Sequence, residues 1–320
     1  MLFKKKPILN LRKEKLSLIP FKVQEVYESA NEIPEGVNLI KAPEFWDKSK
    51  KGDGVVIAVI DTGVQTDHPE LKDRIIGGRN FTSDYKGDPN NYQDNHGHGT
   101  HVSGTIAATE NGNGVIGVAP LAKLLILKVL SEDGKGSYKN IIDAIKYATT
   151  WTGPKGEKVR IISMSLGGGS DVSKLHDAIK NAVNKDILVV CASGNDGDNN
   201  SNTDEYNYPA AYPEAVSVGA VKLDKKMANF SNTNKNVDLV APGVNILSTY
   251  LKGSYAKLNG TSMATPHVAG AAALIINHSE AEFRRKLSET EIYAQLIKKT
   301  TSLGYDKRSE GNGIIDLSKL

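Results

Sequence analysis

A serine, a histidine and an aspartate, each set among glycines or other small residues, are the side chains in this sequence placed to do chemistry. Ser262 lies in Asn259-Gly260-Thr261-Ser262-Met263-Ala264-Thr265-Pro266, which runs into a small-residue stretch ending at Ile276. That pattern reads as a nucleophile at the mouth of a buried helix. A helix N-terminus carries unpaired N–H groups and partial positive charge, so a hydroxyl there attacks beside donors that can receive an oxyanion. Pro266 is read as part of the first turn, where no intrahelical bond is lost. The same segment also reads as a Ser/Thr cap ahead of a core helix. On this segment alone, both readings stand.

Asp61 directly follows Val56-Ile57-Ala58-Val59-Ile60 and precedes Thr62-Gly63, which puts a carboxylate at a strand terminus. Alone, it is equally a turn or capping aspartate. His98 sits in Asn95-His96-Gly97-His98-Gly99-Thr100-His101. His96, His98 and His101 nearly reproduce the His-x-His-x-Asp-His cluster of metallo-β-lactamase-like zinc hydrolases. Thr100 stands where the aspartate should be, and His176, His267 and His278 sit in no further ligand cluster.

A nucleophilic serine instead needs a base and an acid to orient that base. Gly260–Ala264 falls one residue short of the Gly-x-Ser-x-Gly elbow of α/β-hydrolases, whose acid and histidine follow the serine. Here no Asp or Glu separates Ser262 from the last histidine, His278. The remaining order, Asp61, His98, Ser262, is that of the subtilisin family.

The elements that must position these residues are legible from periodicity. Apolar runs of strand length at Val55–Ile60, Leu124–Leu130, Ile161–Leu166, Ile187–Val190 and Ala215–Val221 alternate with helical spacing at Ile141, Ile142, Ile145 and Ala148, and at Leu175, Ala178, Ile179, Ala182 and Val183. The expected fold class is α/β: a doubly wound, mostly parallel sheet with helices on both faces. Residues 31–320 are read as one catalytic domain after an extension of residues 1–30, which is charged and lacks sustained periodicity. Ligands of such sheets bind beyond the carboxyl ends of strands, where Asp61, Gly167 and Asn195 fall.

With 39% hydrophobic and 24% charged residues, the 320-residue chain has globular composition. A net charge of +3, with no basic stripe or aromatic platform, argues against nucleic acid as a partner. No stretch approaches the ~18 apolar residues of a membrane span, so no membrane partner is expected. No secretory h-region follows the basic start, and Cys191 has no second cysteine to pair with. A cytoplasmic location is expected, with Cys191 a buried thiol inside an apolar run.

Asp61-Thr62-Gly63, His98-Gly99-Thr100-His101-Val102-Ser103-Gly104-Thr105 and Gly260–Pro266 resemble the three signature blocks of subtilisin-type serine proteases. Ser163-Met164-Ser165-Leu166-Gly167-Gly168 and Ala192-Ser193-Gly194-Asn195 match two more. The intracellular subtilisins are the most similar branch, because a short extension bearing Leu18-Ile19-Pro20-Phe21 stands in place of a long propeptide. The resemblance implies endopeptidase activity of broad specificity on proteins and peptides. In it, Ser262 attacks, His98 transfers the proton, Asp61 orients His98, and Asn195 with the Ser262 N–H binds the oxyanion. It also implies that Ser165, Leu166 and Gly167 pair with substrate backbone. Leu166, Gly167, Ala192, Ser193 and Gly194 would line a pocket for a large apolar side chain, with Asp196 at the rim to accept a basic one.

The resemblance further implies structural Ca2+, held by side-chain oxygens of Asn31, Glu70 and Asn111 and carbonyls of Thr109, Asn113 and Val115. Glu70 departs from the family's usual aspartate. Carbonyls of Ala210, Tyr212 and Ala215 with Asp238 resemble a weaker cation site, and a homodimer is implied as well. An enzyme made inside the cell it could digest needs a restraint. The extension is therefore expected to lie along Ser165–Gly167 as a substrate-like strand, with Pro20 bending the chain so that no carbonyl is in line with Ser262. The competing function is a catalytically silent binding protein on the same fold, in which a member of the catalytic set would be expected to be missing.

Overall fold

A computed structural model describes residues 15–319; the part of the extension before Lys15 lies outside the described residues. The amino-terminal segment contributes strands β1 (Lys15–Leu18), β2 (Lys22–Tyr27) and β3 (Asn31–Glu32), then short helices α1 (Glu35–Leu39) and α2 (Ala42–Phe45). The alternating part follows as β4 (Val56–Asp61), β5 (Ile75–Asn80), α3 (His98–Ala107), β6 (Gly114–Val115), β7 (Lys123–Lys128), β8 (Lys135–Ser137) and α4 (Tyr138–Thr150). It continues through β9 (Val159–Met164), β10 (Leu166–Gly167), α5 (Ser173–Val183), β11 (Leu188–Ala192), β12 (Val216–Val221) and β13 (Val237–Pro242). A hairpin of β14 (Ile246–Thr249) and β15 (Tyr255–Asn259) leads into α6 (Thr261–Phe283); α7 (Glu289–Lys298), β16 (Thr300–Thr301), α8 (Lys307–Glu310) and β17 (Ile314–Ile315) close the described chain.

Nine strands form the main sheet in the order β16-β17-β13-β12-β11-β9-β4-β7-β5. Every neighbouring pair is parallel except the edge pair β16–β17, as the continuous apolar runs require of strands covered on both faces. Side chains alternate across the pleat. Ile57, Val59, Leu124 and Ile126 pack with α3 and α6 on one face, and Ala58, Ile60, Leu125 and Leu127 with α4 and α5 on the other. Cys191 is buried on that second face, and burial pushes its thiol pKa up, away from any nucleophilic use.

The small residues of α6 serve close packing: a Cβ on Gly270 would come within 2.7 Å of the Val118 side chain. Pro266 lies in the second turn of α6 rather than the first. Its missing N–H would have bonded the carbonyl of Ser262, and that carbonyl accepts instead from Ser165 Oγ at 3.0 Å. The amino-terminal segment, which shows no sustained periodicity in sequence, adds a strand to each of three small sheets, β3 pairing with β6. β1 lies between β10 and β8, and β2 pairs antiparallel with β15.

Candidate active site

Asp61 closes β4, and its Oδ1 accepts from His98 Nδ1 at 2.8 Å and from the Thr62 N–H at 2.7 Å. Both side chains are buried, at 1% and 0% exposure, so the pair is screened from water. His98 is the first residue of α3. The helix is held by Asp94, which accepts the N–H groups of His96, Gly97 and Thr100 and the hydroxyls of Thr62 and Thr100. Gly99 allows α3 to lie on the end of β4, since a Cβ there would fall 2.1 Å from the Gly63 carbonyl oxygen. Asp94 went unread in the sequence, although an acidic residue just ahead of a helical histidine is a capping signal.

Ser262 is the second residue of α6, after Gly260 at φ 154°. Asn195 follows β11, and its Oδ1 accepts from the Thr261 N–H at 2.9 Å and the Thr261 hydroxyl at 2.8 Å. Those two bonds turn the amide Nδ2 outward, where it donates to the carbonyl of Pro20. The Ser262 hydroxyl donates to the Ser165 carbonyl at 3.3 Å, while Nε2 of His98 has no hydrogen-bond partner among the described residues. The acid–base half of the constellation is assembled; the serine–base contact is not made in this form.

The extension runs across this site. β1 pairs antiparallel with β10, Leu18 opposite Leu166 and Ser17 opposite Gly167, and antiparallel with β8 on its other edge. Leu16, Leu18 and Ile19 are buried, each contributing about 1.5–3 kcal/mol relative to exposure. The chain then crosses the site: the Phe21 ring lies tilted 4.8 Å from His98 and edge-on 5.6 Å from His96, and Lys22 is already opposite Asn259. Just past β1, the Pro20 carbonyl accepts from the Asn195 amide. Ala192 and Ser193 are buried, and Gly194 donates its N–H to Thr261 Oγ1 at 3.3 Å.

Residues 52–314 match the Subtilase family. The chain belongs to that family. It is 56% identical over 304 residues to an intracellular serine protease of Paenibacillus polymyxa, covering 95% of this chain and 91% of the relative. It is 53% identical over 304 residues to the major intracellular serine protease of Bacillus subtilis (strain 168), covering 95% and 93%. To subtilisin E of the same organism it is 43% identical over 271 residues, 83% of this chain and 68% of that one. This subtilase is a serine endopeptidase.

The three clustered histidines of the subtilase do not converge. His101 Nε2 lies 3.0 Å from the carbonyls of both Ile246 and Ala256, and burial pushes its pKa down to about 3. His96 packs on Phe21, its pKa lowered first by burial and then by His98. His98 is committed to Asp61, so the zinc reading fails on geometry. Among the described residues no group of three or more His, Cys, Asp or Glu could hold a metal ion.

The residues expected to bind calcium meet at one corner. β3 pairs with β6 so that Asn31 stands opposite Gly114 and Glu32 opposite Val115. The Thr109 N–H donates to the Glu70 carbonyl at 3.0 Å, and the Asn113 N–H to Asn111 Oδ1 at 3.0 Å. Glu70 is buried, touched by Tyr255 OH at 3.2 Å and Asn111 Nδ2 at 3.5 Å, and burial pushes its pKa up. A buried carboxylate with no ion pair among the described residues, packed against Gly114 of the loop that carries the expected carbonyls, fits a bound Ca2+. Asp238 has a different task. Its Oδ1 accepts from Tyr293 OH at 2.6 Å and its Oδ2 from the Ser217 N–H at 2.8 Å, while the Tyr212 carbonyl accepts from the Ala215 N–H. The weaker cation site thus has its one anionic ligand engaged in internal hydrogen bonds.

Proposed function

We propose that Asp61, His98 and Ser262 form the catalytic triad of a broad-specificity endopeptidase, restrained by its own amino-terminal extension. The observation that carries this is the buried bond between Asp61 Oδ1 and His98 Nδ1, with Nε2 left free for a serine. That bond fixes the tautomer and stabilises the imidazolium formed in the reaction. Once the extension leaves, the Ser262 hydroxyl rotates from Ser165 to His98 Nε2. Oγ then bonds the scissile carbonyl carbon as its proton passes to Nε2. The oxyanion is received by Asn195 Nδ2 and the Ser262 N–H. The C–N bond breaks as His98 protonates the leaving amine, and water releases the acyl group by the same steps in reverse.

Broad specificity is supported by the edge that β1 occupies. Leu166 and Gly167 pair with backbone, which every peptide carries. Side-chain preference is assigned to Leu166, Gly167, Ala192, Ser193 and Gly194, the residues that the resemblance places around the side chain before the cut. The extension acts as a pseudo-substrate: its Pro20 carbonyl holds the oxyanion donor, Phe21 covers His98, and the Ser262 hydroxyl is diverted. Asn31, Glu70 and Asn111, with the carbonyls of Thr109, Asn113 and Val115, would hold Ca2+. When bound, the ion neutralises Glu70 and ties the extension's end to the domain.

Intracellular proteins in the cytoplasm are the proposed substrates, by analogy with the relatives' names. A homodimer is proposed on the resemblance and is checked by sedimentation. An activated peptide ester should give a burst of acyl-enzyme that Ser262→Ala abolishes. A chain with intact fold and no burst would instead be the silent binding protein.

A further inference from the structure

One buried charge near the site has no part in the chemistry above. Lys128 ends β7 directly opposite Asp61 in the parallel register, and its side chain is 0% exposed. Its ammonium donates to the Thr62 carbonyl at 2.7 Å, to Asn95 Oδ1 at 2.9 Å and to the Leu130 carbonyl at 2.9 Å, and pairs with Asp84 Oδ2 at 3.0 Å. Asn95 Nδ2 closes the ring on Asp84 Oδ2 at 3.0 Å. A buried ammonium is costly to desolvate and is tolerated where every proton is matched, as here.

The partners are the informative part. Thr62 gives its N–H to the Asp61 carboxylate and its hydroxyl to Asp94, and Asn95 lies three residues before His98. The Asp61 carbonyl, in turn, accepts the N–H groups of Val129 and Leu130, just beyond Lys128. One side chain therefore joins the segment carrying the acid, the loop carrying the base, and the strand between them.

We propose that Lys128 is a positioning residue for the proteolytic reaction, holding Asp61 and His98 in their mutual geometry through Thr62 and Asn95. The inference rests on the triad reading above. Mutual placement of base and acid decides how well His98 can take the serine proton, and small misplacements cost large factors in rate. The charged and titratable groups around His98 are Asp61 on β4, Asp84, Asp94 and His96 on the β5–α3 connection, His101 on α3, and Lys128 on β7. Among the described residues the extension presents the Phe21 ring to it.

The test measures hydrolysis of an activated peptide ester by the full-length chain across pH, for wild type, Lys128→Met and the charge-balanced pair Asp84→Asn with Lys128→Met. Lys128→Met should lower kcat about 10- to 100-fold with KM within about twofold. It should also move the acid limb of kcat/KM to higher pH, because the imidazolium loses a neighbouring cation. The double variant leaves no unpaired buried charge, so it keeps the fold measurable if the single one unfolds. It should retain the kcat deficit with an acid limb closer to wild type. A folded double variant with wild-type kcat, or a deficit in KM alone, overturns the proposal. Ser262→Ala and His98→Ala are run alongside. Activity surviving in those would overturn the triad reading itself, whereas its loss in them with no effect at Lys128 overturns only the positioning role.

Discussion

The Pro20 carbonyl accepts a hydrogen bond from Asn195 Nδ2, the donor that a tetrahedral intermediate would use. On the proposed function, extension and transition state compete for one amide, and that amide is aimed by Thr261. Asn195→Ala should lower kcat of the processed enzyme by about 10²- to 10³-fold with little change in KM, the magnitude established for such a donor in a subtilisin. It should also loosen the extension, visible as faster hydrogen exchange at Leu18, whose N–H bonds the Gly134 carbonyl at 2.9 Å. An unchanged kcat would remove Asn195 from the oxyanion site.

Pro20 supplies a fixed φ where the extension leaves its substrate-like strand. Replacing it with alanine frees that torsion, so Pro20→Ala should speed self-cleavage near Leu18–Phe21, followed by mass spectrometry of the full-length chain. Phe21→Ala uncovers His98 and should raise initial ester hydrolysis before any cleavage occurs. Equal activity with and without residues 1–20 would sink the inhibitory role.

Much of this was written in the sequence, for identifiable reasons. Strands covered on both faces must be apolar throughout, so β4, β7, β9, β11 and β12 stood out as runs. Chain order alone picked Asp61 and His98 as partners for Ser262. What stayed hidden depends on contacts between distant segments. Asp94 and Lys128 act through hydrogen bonds that no local pattern encodes, though a lysine inside Leu124–Leu130 beside the Asp61 strand was an anomaly open to view. Pro266 misled because a proline in the second turn is tolerated only when something caps the freed carbonyl, and Ser165 lies 97 residues away. Ser165→Ala should accordingly cost about 1–3 kcal/mol in unfolding free energy by leaving the Ser262 carbonyl unsatisfied.

The Glu70 corner predicts a metal dependence separable from catalysis. A cation there offsets a buried carboxylate, so in the inactive Ser262→Ala chain Ca2+ should raise Tm and a chelator should lower it. Glu70→Gln should abolish the Ca2+ response while raising stability in chelator, since the buried charge is gone. A response surviving in Glu70→Gln would move the ion elsewhere.

His101 makes a pH prediction whose sign follows from its burial. Its folded pKa is about 3 against an ordinary 6.5, so between those values the unfolded chain binds the extra proton and stability falls as pH falls. The slope from one such group is about 1.4 kcal/mol per pH unit. His267, pushed by burial to about 4, adds in the same direction. Asp238 at about 6 and Glu289 at about 7, both raised by burial, act oppositely, because the folded chain holds their protons longer. The wild-type profile is therefore a partial cancellation, and the share of His101 appears in a difference. His101→Gln keeps an N–H donor for the Ile246 and Ala256 carbonyls without titrating. Urea unfolding of Ser262→Ala with and without His101→Gln should give curves that diverge from pH 6.5 down toward pH 3, the glutamine variant losing less. Parallel curves would mean that His101 is charged in the folded protein, which its complete burial argues against.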